Sequence, residues 1–219
     1  EMLALTTTVL QYLREYVSAE KTRQTGTKEG CAEGDCGACT VVIGELVNDQ
    51  LQLRSVNACI QFLPTLDGKA LFTVEDLQQL ISASTGQMHP VQQAMIEQHG
   101  SQCGFCTPGF IMSLWSMYEN ELHAPNKEKV SDYVSGNLCR CTGYRPILDA
   151  AQQAYNYPRV QLEREKVIKV LTEIHALPSL ELNYQGQQFF APKTLQEFAS
   201  LRQQFPQARI VAGSTDVGL

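Results

Sequence analysis

Apolar positions in the first half of this chain follow a strand-like rhythm, and from residue 89 onward they follow a helical one. "TVVIGELVN" (40–48) is a β-branched run broken by one glycine, which predicts a strand and a turn. In "HPVQQAMIEQHG" (89–100), Val91, Ala94, Met95 and Gln98 recur at helical spacing, with Gly100 placed as the residue that ends the helix. Thr107 and Pro108 open "GFIMSLWSMYENE" as an N-cap followed by proline at the first helical position. "KEKVSDYVSGN" predicts a third helix ending near Gly136, and "RPILDAAQQAYN" a fourth opened by Pro146. The stripe Phe110, Ile111, Leu114, Trp115 and Tyr118 reads as the core of these helices rather than as a cofactor box.

Past Val160 the pattern weakens. "QLEREKVIKVLTEIH" reads as one helix and "ALPSLELNYQGQQ" as linker. Thr194-x-x-Glu197 is a capping box ahead of Leu195, Phe198 and Leu201. "ARIVAGSTDVGL" reads as a strand leading into a Gly-rich turn, where exposed amides form a nest for anionic oxygens. Taken alone, so short a glycine motif is weak evidence of a ligand.

Composition narrows the function. The chain has 219 residues, 43% hydrophobic and 18% charged, enough for two ordinary globular cores. A net charge of −6, with no long Lys/Arg run, argues against nucleic acid or an anionic membrane as partner. No apolar run approaches the roughly 18 residues of a membrane span, and no export signal opens the chain. The expectation is a cytoplasmic protein, and the abrupt start reads as that of a fragment.

Eight cysteines without a secretion signal favour metal or redox chemistry over disulfides. Cys31, Cys36, Cys39 and Cys59 have the C-x4-C-x2-C…C spacing of plant-type [2Fe–2S] centres. Gly34 and Gly37 suit a loop that wraps a cluster, because such a loop needs positive φ and close backbone approach. Structural zinc and fortuitous free thiols are the alternatives, although zinc sites usually pair two short clips. Cys103 and Cys106 form C-x2-C, and Cys139 and Cys141 form C-x-C, each in a turn between two predicted helices. Alone, these pairs fit a thioredoxin-type motif or zinc; brought together, they put four thiolates at one end of a four-helix bundle. His89, His99, His123 and His175 lack ligand spacing. Arg140 and Arg145 flank the second group, either tuning it or simply solvated.

"GTKEGCAEGDCGACTV", "QCGFCTPG" and "GNLCRCTGYRPILDA", in that order between Thr7 and Asn156, resemble the iron–sulfur part of the molybdenum hydroxylases, the xanthine dehydrogenase and aldehyde oxidase family. The resemblance implies an α+β chain. A β-grasp, ferredoxin-like [2Fe–2S] domain would occupy 1–76 and a four-helix [2Fe–2S] domain 77–157. A linker (158–188) and the beginning of an α+β FAD-binding domain (189–219) would follow. The family usually starts with a β-hairpin whose first strand is absent here, which would leave one sheet edge unpaired.

The resemblance also assigns roles. Gln102 would donate to the pterin of the molybdenum cofactor, and Cys141 would lie against it. Backbone amides of Ile210, Val211, Ala212, Gly213, Ser214, Thr215, Asp216 and Val217 would face the FAD pyrophosphate. The segment would hold no catalytic residue. It would carry electrons from molybdopterin, held by a partner chain or further domain, through both clusters to FAD and then NAD⁺ or O₂, within a dimeric enzyme that hydroxylates a purine or aldehyde. An aldehyde oxidoreductase or carbon monoxide dehydrogenase would share the cluster domains. Continuation into a flavin domain favours the xanthine dehydrogenase arrangement.

Overall fold

The computed structural model describes residues 3–17, 24–80 and 88–219. The chain opens with α1 (Val9–Gln11), which runs on as a π-helical turn over Tyr12–Tyr16. Thr8 and Gln11 cap it reciprocally, each side chain accepting from the other's backbone amide. β1 (Thr40–Val47) and β2 (Gln50–Asn57) form a hairpin whose two turn residues, Asn48 and Asp49, both have positive φ, as a tight primed turn requires. β3 (Ala70–Phe72) pairs antiparallel with the other edge of β1, giving the order β2-β1-β3.

β1 is buried at five successive positions because both faces of the sheet are covered. On one face, Val41 joins Cys39, Ala58, Ile60 and the helix residues Val9, Leu10 and Leu13. On the other, Val42, Leu51, Leu53 and Phe72 belong to a larger core built around the bundle. Gly44 makes room there: a Cβ at this position would meet Leu51, Leu53 and Phe72 at 3.1–3.4 Å.

After α2 (Asp76–Leu80) come the expected four helices: α3 (Pro90–Glu97), α4 (Thr107–Asn120), α5 (Lys127–Val134) and α6 (Arg145–Gln153). α4 is buried at every position from Gly109 to Glu119, as an apolar helix must be when neighbours surround it. Its predicted stripe is core, and Trp115 meets Phe72 of the sheet with ring centroids 5.2 Å apart. α7 (Arg164–His175) packs on the sheet from the same side, with Arg164 Nη1 donating to Leu51 O at 2.9 Å. Among the described residues no helix is long and apolar enough to cross a membrane.

The structure moves four expected features. The left-handed residue ending α3 is His99, not Gly100. His99 N and Gly100 N donate back to Ile96 O and Met95 O, so both closing bonds are already made one residue earlier. The N-cap of α4 is Cys106, because the Thr107 hydroxyl donates to Ser101 Oγ instead of capping the helix. The stretch read as linker forms a hairpin, β4 (Leu180–Tyr184) and β5 (Gln187–Ala191), turned by Gln185 and Gly186 at positive φ. α8 (Leu195–Gln204) follows with its capping box intact, but no strand forms over 208–212. A strand needs a ladder partner, and none lies beside that stretch among the described residues.

At the bundle end remote from the cysteines, His89 is fully buried. Its Nδ1 accepts from Val91 N as the N-cap of α3, and its ring packs edge-on against Tyr118. Burial first, and the nearby Arg159 charge second, lower its pKa to about 4. The neutral ring is therefore the folded form. The associated stability is complete above the ordinary histidine pKa near 6.5 and is lost as pH falls toward 4. We expect this to remove about 3 kcal/mol of unfolding free energy across that window. Urea midpoints followed by the fluorescence of Trp115 should show the slope, and His89→Asn, which keeps a capping acceptor, should abolish it. An unchanged slope in the variant would assign the acid sensitivity elsewhere.

Candidate iron–sulfur centres and the seam between them

The first cysteine loop leads into β1. Gly34 and Gly37 adopt positive φ, as the wrapping loop demands. Asp35 N and Cys36 N both donate to Cys31 Sγ at 3.3 Å, and the Cys36 thiol also bonds Cys31. Cys39 sits just before β1 and Cys59 just after β2, held together by Ala58 N donating to Cys39 O. Their thiols share a hydrogen bond that lowers the pKa of Cys39 and raises that of Cys59. The four thiols thus form two pairs, Cys31 with Cys36 and Cys39 with Cys59.

The second group lies in the α3–α4 and α5–α6 turns, as expected. The sulfurs of Cys103 and Cys141 are 3.7 Å apart, and both residues are exposed. Cys106 and Cys139 form the more buried pair in mutual hydrogen-bond contact. Burial, reinforced by Cys139, pushes the Cys106 thiol up to about 12. For Cys139 burial acts upward too, but hydrogen bonds from Thr142 and nearby amides outweigh it and hold the thiol below its usual range.

This pairing tests the donor set. Two thiolates on one tetrahedral metal, each ~2.3 Å from it, lie about 3.8 Å apart. The Cys103–Cys141 separation fits two ligands of one atom. A two-iron core asks for two such pairs; a single zinc asks for four thiolates on one point. The thiols fit a binuclear cluster in each group.

The two loops meet directly. Leu138 N donates to Cys36 O at 3.0 Å, so one hydrogen bond joins Cys36 to the residue preceding Cys139. Asn137 is buried beside it. Its amide donates to Gly37 O and Thr40 Oγ1, both at 2.9 Å, and its carbonyl accepts from Ser113 Oγ at 2.6 Å. Gly37 and Gly109 are pressed together: a Cβ on Gly109 would lie 2.1 Å from Gly37 O. Sequence reasoning missed Asn137, whose partners lie far away along the chain.

Gln102 is exposed, and its Nε2 donates to Cys141 O at 3.1 Å, which places the two residues expected at the pterin side by side. Arg145 is largely solvated, with only a long pairing to Asp149. In the C-terminal stretch, Ile210 is 56% exposed and Ser214, at φ 59, is buried. Among the described residues, no amide from Ile210 to Val217 donates to another backbone group. Gly218 packs so closely on Ile60 O that a Cβ would lie 2.3 Å away, which puts this turn against the residue after Cys59.

The two groups of four thiols, one leading into the sheet and one at the end of the bundle, fall within stretches that match two [2Fe–2S]-binding families. Residues 5–63 match the family described as 2Fe-2S iron-sulfur cluster binding domain, and residues 73–152 that described as [2Fe-2S] binding domain. The chain belongs to the molybdenum hydroxylase family, in the iron–sulfur portion shared with the xanthine dehydrogenases. It is 34% identical to a xanthine dehydrogenase/oxidase of Rattus norvegicus over 97% of its length, which is 18% of that protein. It is 45% identical to a xanthine dehydrogenase of Blastobotrys adeninivorans over 66% of its length, 10% of that protein. The chain therefore spans less than a fifth of these curated relatives. A quinoline 2-oxidoreductase structure from Pseudomonas putida superposes with a TM-score of 0.56 at 28% identity, covering 78% of this chain and 87% of that one. An aldehyde oxidoreductase from Desulfovibrio desulfuricans gives 0.57 at 30% identity, covering 79% of this chain and 17% of that one.

The contact between Gly37 and Gly109 sets a stability prediction. Gly109→Ala should cost about 1–3 kcal/mol, because backbone cannot yield as a flexible side chain would. Gly136→Ala, where a Cβ meets nothing within 4 Å, should change stability by less than about 0.5 kcal/mol. Equal urea midpoints for the two variants would show that the loops are not tightly docked.

Proposed function

We propose that this chain conducts electrons between a molybdopterin site and a flavin, with Cys31, Cys36, Cys39 and Cys59 holding one [2Fe–2S] cluster and Cys103, Cys106, Cys139 and Cys141 the other. The observation that carries this reading is the pairwise grouping of the eight thiols, with the two groups joined by the Leu138–Cys36 hydrogen bond. The clusters would supply one-electron redox capacity, and the protein's levers on it are hydrogen bonds to sulfur, burial and nearby charge.

Each end of the chain's conduit has a distinct surface. At the second group, exposed Cys141 and Gln102 are open to a pterin carried by a partner chain or further domain. An amide offers two donors and an acceptor, which suits a pterin's heteroatom-rich edge. At the first group, the turn from Ile210 to Val217 offers unengaged amides to a pyrophosphate, in keeping with FAD completed by further sequence. Xanthine dehydrogenase is the assembled enzyme we favour, cytoplasmic and dimeric. Eight unpaired cysteines agree with a reducing compartment.

Iron and acid-labile sulfide should each approach about four per chain, as two binuclear clusters require. Stoichiometric zinc without iron would sink the proposal and leave a structural zinc module. In the assembled enzyme, Gln102→Ala should leave both clusters loaded and reducible by dithionite while slowing their reduction by substrate. A lost hydrogen bond of about 0.5–1.5 kcal/mol sets the scale, a few-fold to about tenfold. Full molybdenum content with unaltered reduction by substrate would return Gln102 to the status of a loop residue.

A further inference from the structure

The second cysteine site is lopsided. Cys103 and Cys141 face solvent, whereas Cys139 is buried and Cys106 half-buried. On the buried side a closed ring of hydrogen bonds forms within six residues. Cys139 N donates to the Tyr144 hydroxyl at 2.9 Å, Tyr144 N donates to Thr142 Oγ1 at 3.2 Å, and the Thr142 hydroxyl donates to Cys139 Sγ at 3.3 Å. A hydroxyl carries one hydrogen. With the Tyr144 amide engaging the Thr142 oxygen, that hydrogen is aimed at sulfur.

Tyr144 holds this arrangement in an unfavourable backbone state. Its φ is 68° and its ψ −34°, a positive-φ conformation outside the usual allowed regions, which a bulky residue adopts only when its surroundings enforce it. The enforcement is visible. Its ring packs edge-on against Phe110 at 6.1 Å, its hydroxyl takes the Cys139 amide, and its carbonyl accepts from Ile147 N and Leu148 N to start α6. None of the sequence motifs explains why a tyrosine should be strained at this point.

We propose that Thr142, aimed by Tyr144, is a potential-tuning residue: its hydroxyl donates to the Cys139 thiolate and raises the reduction potential of the second-site cluster. This rests on the reading that the four cysteines hold a [2Fe–2S] cluster. Hydrogen bonds to ligand sulfur withdraw electron density and make the reduced state easier to reach. Burial alone acts the other way, because an added negative charge is costly where water is excluded. The Thr142 bond opposes that effect of burial, on the side of the site next to Leu138, whose amide donates to Cys36 O.

The test is a redox titration of the cluster-loaded protein with dithionite, followed by electron paramagnetic resonance. The second-site signal is the one that Cys36→Ser leaves in place. One electron from dithionite reduces one ferric iron to ferrous, and no bond is made or broken. Thr142→Val should move the midpoint of the second-site signal to a more negative potential and leave the first-site midpoint where it was. Thr142→Ser, which keeps the hydroxyl, should restore the wild-type value. If the valine variant loses its cluster, Thr142→Ala makes the same comparison. Wild-type protein without iron and sulfide would defeat the cluster reading itself. A loaded, hydroxyl-free variant with an unchanged midpoint, or a serine variant displaced as far as valine, would overturn the tuning role alone.

Discussion

The meeting of Gly37 with Gly109, locked by Asn137, is the constraint on which the rest of the molecule depends. Two backbones approach too closely for any side chain between them, so the first cysteine loop and the first turn of α4 behave as one surface. Asn137 completes it with both amide hydrogens and its carbonyl oxygen engaged. Burying an amide is tolerable only when its bonds are made, and here they are made to both halves of the chain. Sheet and bundle therefore share one core, with the buried Trp115 packed against Phe72 of the sheet.

That seam gives the cysteine sites their geometry. α4 follows its N-cap Cys106 and is buried from Gly109 to Glu119, so its N-terminus fixes one turn of the second site while its flank supports β1, the strand that follows the first. Arg164 and Asn120 add bonds from the bundle side to Leu51 O and Leu53 O of β2. Movement of either loop would have to break contacts of the other. The exposed Cys103–Cys141 pair lies outside this rigid zone and is left available to a partner, whereas the buried pair lies within it.

Much of this was legible in the chain because its signals are local. Helix spacing with Pro108 and Pro146 at helix starts marked the bundle, and cysteine intervals marked two groups of four. The Thr194 capping box formed as read. The features that escaped are those decided by distant or finely balanced partners. Asn137 sits in an unremarkable "SGN", and its meaning lies in Gly37 and Thr40. β4 has the half-buried alternation of Leu180, Leu182 and Tyr184 and a Gln-Gly turn, but its charged and amide-rich residues read as linker. The expected strand over 208–212 has the right residues and no neighbour with which to pair. α1 is so short that its capping pair, Thr8 and Gln11, is almost all the signal it carries.

Gly37 and Asn137 are separated by 100 residues of chain. At a synthesis rate of about 5–20 residues per second, Asn137 is added roughly 5–20 seconds after Gly37. By the end of that interval all four thiols of the first group have been made, yet until then the asparagine that locks their loop does not exist. The first four thiols are therefore complete before the residue that docks their loop, and Cys139 and Cys141 follow that residue directly.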